Sequence, residues 1–178
     1  AFDDQIIAMM IDKLAQAEQN PDLSLLILRS TGKHFSSGAD LNWMKRMAAN
    51  SHQDNLDDAN QLAQLMESLN NFSKPTLALV QGAAFGGAVG LAACCDIVIA
   101  TQSARFCLSE VKIGLVPAVI SPYVIRAIGE RQARRYFLSA EIISSDQALA
   151  FGLVHELVDD ANQLDQAAER FIHQLSQN

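Results

Sequence analysis

The stretch "ARFCLSEVKIGLVPA", residues 104–118, carries one carboxylate, Glu110, among cysteine, leucine, valine, isoleucine and proline neighbours. Those neighbours predict burial, and a carboxylate taken out of water without a partner is costly. Two accounts fit: backbone N–H groups satisfy it, or it moves protons with a pKa raised by its surroundings. Two other stretches bring bare backbone to a helix start. In "SSGAD", Gly38 permits a tight turn and Asp40 suits the N-cap of a helix opening at Leu41. In "QGAAFGG", a strand ends at Gln81 and Gly86-Gly87 lead into a helix. N–H groups at helix N-termini are unpaired and partly positive, so they suit an oxygen that becomes negative during reaction. Each loop alone can be an ordinary strand-to-helix turn. As a pair at the ends of neighbouring strands, they could form an oxyanion hole.

Other chemistries fit badly. Gly82, Gly86, Gly87 and Gly90 lack the G-x-G-x-x-G spacing of a dinucleotide site, and there is no phosphate-binding G-x-x-x-x-G-K-[ST] loop. No G-x-S-x-G elbow marks a serine hydrolase. His34, His52, His155 and His173 show no metal-ligand spacing among themselves or with the cysteines, so no metal is expected. His155, within "LVHELV", reads as a strand residue facing solvent or satisfied at the core. Trp43, Met44 and Met47 read as a packing face that can also wall a pocket. The odd count of cysteines, Cys94, Cys95 and Cys107 in apolar surroundings, suggests reduced thiols and a cytoplasmic protein. A net charge of -7 argues against nucleic acid as partner, and "WMKRM" and "GERQARR" read as solvated helix faces. No apolar run approaches the ~20 residues that cross a bilayer, and "AFDDQIIAMM" lacks the basic start of a signal peptide, so no membrane association is expected.

The elements that must position these residues follow from hydrophobic spacing. Ile6, Ile7, Met10, Ile11 and Leu14 predict a helix over 3–19, stopped by Asn20-Pro21. "LSLLILRS", "PTLALVQG" and "CDIVIAT" are short apolar runs that read as buried strands. Helices are expected over 41–49, 56–71, from the "AAFGG" turn through Cys94, about 117–128, 131–138 and 146–150. A strand at "LVHELV" and a closing helix with Leu164, Ala168, Phe171 and Leu175 on one stripe complete the chain. Strands alternating with helices predict an α/β domain spanning 1–178, with a mainly parallel sheet covered on both faces.

"HFSSGADL", "KPTLALVQGAAFGGAVGLAACCDIVIAT" and "ARFCLSEVKIGLVPA", in that order and spacing, closely resemble the signature of the crotonase (enoyl-CoA hydratase/isomerase) superfamily. "AIGERQARRYFLSAEIISSDQALAFGLVHELV" is similar to the stretch that follows in that family. The resemblance implies a spiral of ββα units, assembly as a homotrimer or hexamer, and an acyl-CoA thioester as substrate, with no separate cofactor. It implies that the N–H groups of Ala39 and Gly87 form the oxyanion hole, with Gly38, Asp40, Gly86, Gly90 and Pro117 around the substrate. Glu110 falls on one of the two glutamate positions of the family's hydratases, and Gly90 falls on the other.

One carboxylate in place of two leaves alternatives. A hydratase, a hydro-lyase adding water across the α,β double bond, would use Glu110 as acid and base. A Δ3,Δ2-enoyl-CoA isomerase needs only one carboxylate, and a non-catalytic acyl-CoA-binding module needs none. "GGAVGLAACCD" with "FCLSEVKIGLVPAVISP" resembles the bacterial 3-methylglutaconyl-CoA and isohexenylglutaconyl-CoA hydratase branch. That implies a branched glutaconyl-CoA, as in leucine or acyclic terpene breakdown. On that reading the substrate's distal carboxylate, or a water held by it, fills space left open at Gly90. The resemblance also implies that the family's N-terminal strands and C-terminal helices lie outside these residues.

Overall fold

The computed structural model describes residue 1 and residues 3–175. The first helix, α1 (Asp4–Glu18), opens where the Asp3 carboxylate accepts the Ile6 N–H, and it buries Ile7 and Leu14. The chain then runs through β1 (Leu26–Leu28), α2 (Leu41–Ala49), α3 (His52–Asn70), β2 (Thr76–Val80), β3 (Ala83–Phe85), α4 (Gly87–Cys94) and β4 (Ile97–Thr101). It continues through β5 (Arg105–Cys107), a 3-10 turn at Glu110–Ile113, α5 (Ser121–Ile128), α6 (Glu130–Ser139) and β6 (Ile143–Ser144). It closes with α7 (Ser145–Phe151), β7 (Glu156–Val158) and α8 (Asn162–Leu175).

Four strands form one parallel sheet in the order β1-β2-β4-β7. Side chains alternate across it, and both faces are covered. Leu77, Leu79 and Ile99 pack with Leu164, Ala167 and Ala168 of α8. Ala78, Val80, Val98 and Ala100 turn to the larger core, which holds Ile7, Leu65, Met66, Leu91 and Ile120. Two buried faces explain why β2 is apolar at every position but its first, where Thr76 is also buried and exchanges hydrogen bonds with Asp96.

β3, β5 and β6 form a second sheet, with β3 and β5 parallel and β5 and β6 antiparallel. From β2 the chain steps to β3 and then into α4; from β4 it steps to β5, the 3-10 turn and α5. This repeated advance is the expected ββα spiral. Gly82, at the β2–β3 step, has φ +60, and a Cβ there would lie 2.2 Å from the Lys33 carbonyl oxygen. The close approach locks the 30–40 loop onto the end of β2.

Several boundaries differ from the sequence reading. "AAF" is a strand rather than part of a turn, and β5 and β6 were not expected. α3 begins at His52 because Ser51 and Asp54 form a capping box. Residues 117–120 are not helical, and α5 opens at Ser121 with Pro122 in its first turn. Trp43 is 6% exposed and belongs to the core, with Met47 packed against it. All three cysteines are buried free thiols, and burial pushes Cys94 up to about 12. No described helix is long and apolar enough to cross a membrane.

Candidate active site

The loop between β1 and α2 runs along the β2–β3 segment as an informal extra strand. Phe35 N–H donates to the Gln81 carbonyl at 2.7 Å, Ser36 N–H to Ala83 at 2.9 Å, and Phe85 N–H to Ser36 at 3.0 Å. Gly38 then turns with φ +104, a conformation that disfavours any side chain, and its Cβ position lies 3.7 Å from the Phe85 carbonyl oxygen. Ala39 follows Gly38 directly, and Gly87 follows Phe85 by two residues. Their amides therefore belong to adjacent chain segments leading into α2 and α4.

The two helix starts are built differently. The Asp40 carboxylate accepts the N–H groups of Asn42 and Trp43 at 2.8 and 3.0 Å, so its charge is used in capping α2. α4 has Gly86 at its N-cap, with φ 58 and ψ -127 and no side-chain capping bond. Its first N–H groups are thus left for another acceptor. The Gly86 N–H itself is tied to the Cys107 carbonyl at 2.8 Å, which binds this turn to the end of β5.

Beyond β5, the 3-10 turn swings Glu110 back over Gly86. Glu110 Oε1 lies 3.4 Å from the position a Cβ would take on Gly86. Glu110 Oε2 is buried and has no hydrogen-bond partner. Burial raises the Glu110 pKa above its ordinary value, opposed only in part by a hydrogen bond to its own backbone. Satisfaction by surrounding N–H groups therefore does not account for this carboxylate. An underpartnered acid with raised proton affinity beside an uncapped helix start suits proton transfer next to a developing anion.

The space expected at Gly90 is not there. A Cβ on Gly90 would sit 2.3 Å from Ile120 Cγ2, 2.7 Å from Ile120 Cβ and 3.3 Å from Met66 Cε. Ile120 is 2% exposed and Met66 fully buried, so Gly90 is where α4 packs closely against the start of α5 and against α3 in the core. Ile120 fills the volume a side chain would take, so neither a substrate carboxylate nor a water fits there. Pro117 is buried ahead of α5, with its carbonyl accepting the Ser121 N–H at 3.0 Å.

Three supporting residues escaped the sequence reading. His34 Nδ1 accepts the Ala83 N–H at 3.0 Å, and the Gln81 side chain donates to Ser30 and Gly32 carbonyls, so both pin the loop between β1 and α2 to the sheet. Ser109 Oγ lies 3.9 Å from the same Cβ position on Gly86 that Glu110 approaches. A histidine just before the glycine turn was the available signal for the first. His155 does similar work elsewhere, its Nδ1 accepting the Val98 N–H at 3.0 Å.

Comparison with known proteins bears on the family and the fold. A family model described as enoyl-CoA hydratase/isomerase matches residues 1–178. The crystal structure of an enoyl-CoA hydratase from Shewanella pealeana superposes with a TM-score of 0.96 at 52% identity, over 99% of this chain and 66% of that one. A Thermus thermophilus protein assigned as an enoyl-CoA hydratase is 34% identical over 89% of this chain and 62% of its own length. The 2,3-dehydroadipyl-CoA hydratase of Escherichia coli is 34% identical over 88% of this chain and 60% of its own. The chain thus spans about three-fifths of the length of these two curated relatives.

Proposed function

Because the chain belongs to the enoyl-CoA hydratase/isomerase family, we propose that it hydrates the α,β double bond of an enoyl-CoA thioester, with Glu110 as the sole carboxylate in proton transfer. The observation that carries this reading is the Glu110 carboxylate beside Gly86, one oxygen buried without a partner, at the uncapped start of α4. The thioester oxygen binds between the N–H groups of Ala39 and Gly87. Water adds to the β-carbon and gives one proton to Glu110, while the π electrons move onto the thioester oxygen as an enolate held by the two amides. Glu110 then returns that proton to the α-carbon and is again a carboxylate. Since Ile120 closes the space at Gly90, one acid must perform both transfers.

A branched glutaconyl-CoA remains the finer proposal. Its support is the resemblance of the α4 and 3-10 segments to that branch, together with a relative named for a dicarboxylic acyl group. Assembly as a homotrimer or hexamer is part of the same reading. It would cover Ile113, Leu115 and Val116, which are 54%, 53% and 74% exposed beside the site.

The test is a turnover panel of crotonyl-, 3-methylglutaconyl- and 3-enoyl-CoA on the full-length protein and its Glu110→Gln variant. Hydration that depends on Glu110 is expected, fastest on 3-methylglutaconyl-CoA. Conversion of 3-enoyl to 2-enoyl thioester without water uptake identifies an isomerase instead. Acyl-CoA binding with no turnover identifies a binding module.

A further inference from the structure

Ser109 stands at the N-cap of the 3-10 turn, directly before Glu110, and does not cap it. Serine is favoured there because its hydroxyl can take up a free N–H from an extended backbone conformation. Ser109 has φ -87 and ψ -1, already helical, and makes no side-chain capping bond. Its Oγ lies within 4 Å of the same point beside Gly86 that Glu110 Oε1 approaches, at 3.9 and 3.4 Å. No hydrogen bond joins the two side chains, and Glu110 Oε2 has no partner either. A half-buried hydroxyl and a half-buried carboxylate thus converge on a face that glycine leaves bare. A bound water needs about two to four polar partners, and this pair offers two acceptors.

We propose that Ser109 holds the nucleophilic water together with Glu110, the task a second carboxylate would perform had Ile120 not filled the space at Gly90. This rests on the hydratase reading above. The water directs one O–H to Ser109 Oγ and the other to Glu110, leaving a lone pair for the β-carbon. As the C–O bond forms, the O–H bond to Glu110 breaks and the π pair moves to the thioester oxygen. Ser109 neither gains nor loses a proton.

The test separates water addition from proton transfer. On the full-length protein, hydration of crotonyl-CoA is measured beside exchange of the α-protons of butyryl-CoA into D2O, followed by NMR. Exchange needs Glu110 and the oxyanion amides but no nucleophilic water. Ser109→Ala is expected to lower the hydration kcat about 10- to 100-fold. Its KM and its exchange rate should stay within about twofold of wild type, since it removes only a ligand of the water. Undiminished hydration overturns the proposal. So does a parallel fall of hydration and exchange, because Ser109 would then only seat Glu110. A wild-type protein that exchanges α-protons yet hydrates nothing overturns the hydratase reading itself, and the water role with it.

Discussion

Gly86 and Gly90 stand about one helical turn apart on α4, and each lacks a side chain for an opposite reason. Gly86 leaves room for a polar group: its bare face meets Glu110 and Ser109, and its φ of 58 admits few other residues. Gly90 leaves room for an apolar one: Ile120 Cγ2 occupies the volume its own Cβ would take. The first absence leaves a polar face beside Glu110, and the second lets the start of α5 pack against α4. The same residue type therefore reports chemistry or packing according to which partner the fold brings to it.

The largest effect expected from probing this contrast is at the acid itself. Glu110→Gln should lower hydration by about 10²- to 10⁴-fold, measured as kcat on crotonyl-CoA. The same variant should be more stable than wild type at pH 7. Folding raises the Glu110 pKa above its ordinary 4.5, so the folded state binds the proton more tightly than the unfolded one. Stability from that preference is present below the unfolded value and is lost as pH rises through the folded one. A denaturant titration at pH 4 and pH 7 should find the variant's advantage only at the higher pH. The acid limb of the wild-type kcat/KM profile should correspondingly lie above 4.5.

On the packing side, Gly90→Ala should cost about 1–3 kcal/mol in urea unfolding, because Ile120 is branched at the contacting carbon and buried. Gly90→Glu should fail to fold. A well-folded Gly90→Glu protein would contradict the contact. Gly86→Ala should lose about 1–3 kcal/mol from its backbone conformation, together with activity, as its methyl approaches Glu110 Oε1. The smallest effect is expected at Asp40→Ala, about 1 kcal/mol from the lost cap of α2. Its kcat should fall by less than that of Gly86→Ala.

Legibility in the sequence followed the same division. Glu110 stood out because a lone acid in an apolar run needs a reason, and α1 and α2 were readable from caps and spacing. β2 and β4 were readable because strands covered on both faces are apolar almost throughout. β3, β5 and β6 have two or three residues each, too few to carry a period. They form because the chain leaving β2 and β4 meets a second ladder within a few residues. Gly90 was misread for a different reason. A missing side chain says nothing about what replaces it, and Ile120 is thirty positions away in sequence. Ser109 and His34 carry ordinary residue types whose importance lies only in where their polar atoms point.

β2, held between β1 and β4 with every residue buried, delivers Gly87 through the short β3. Its amide protons should be among the last to exchange with solvent, while the exposed 3-10 turn carrying Glu110 should open early. On the proposed hydratase reading, gentle warming would then free Glu110 while the Gly86-Gly87 turn stays in place. The half-opened molecule would still bind a thioester oxygen but no longer deliver a proton to the α-carbon.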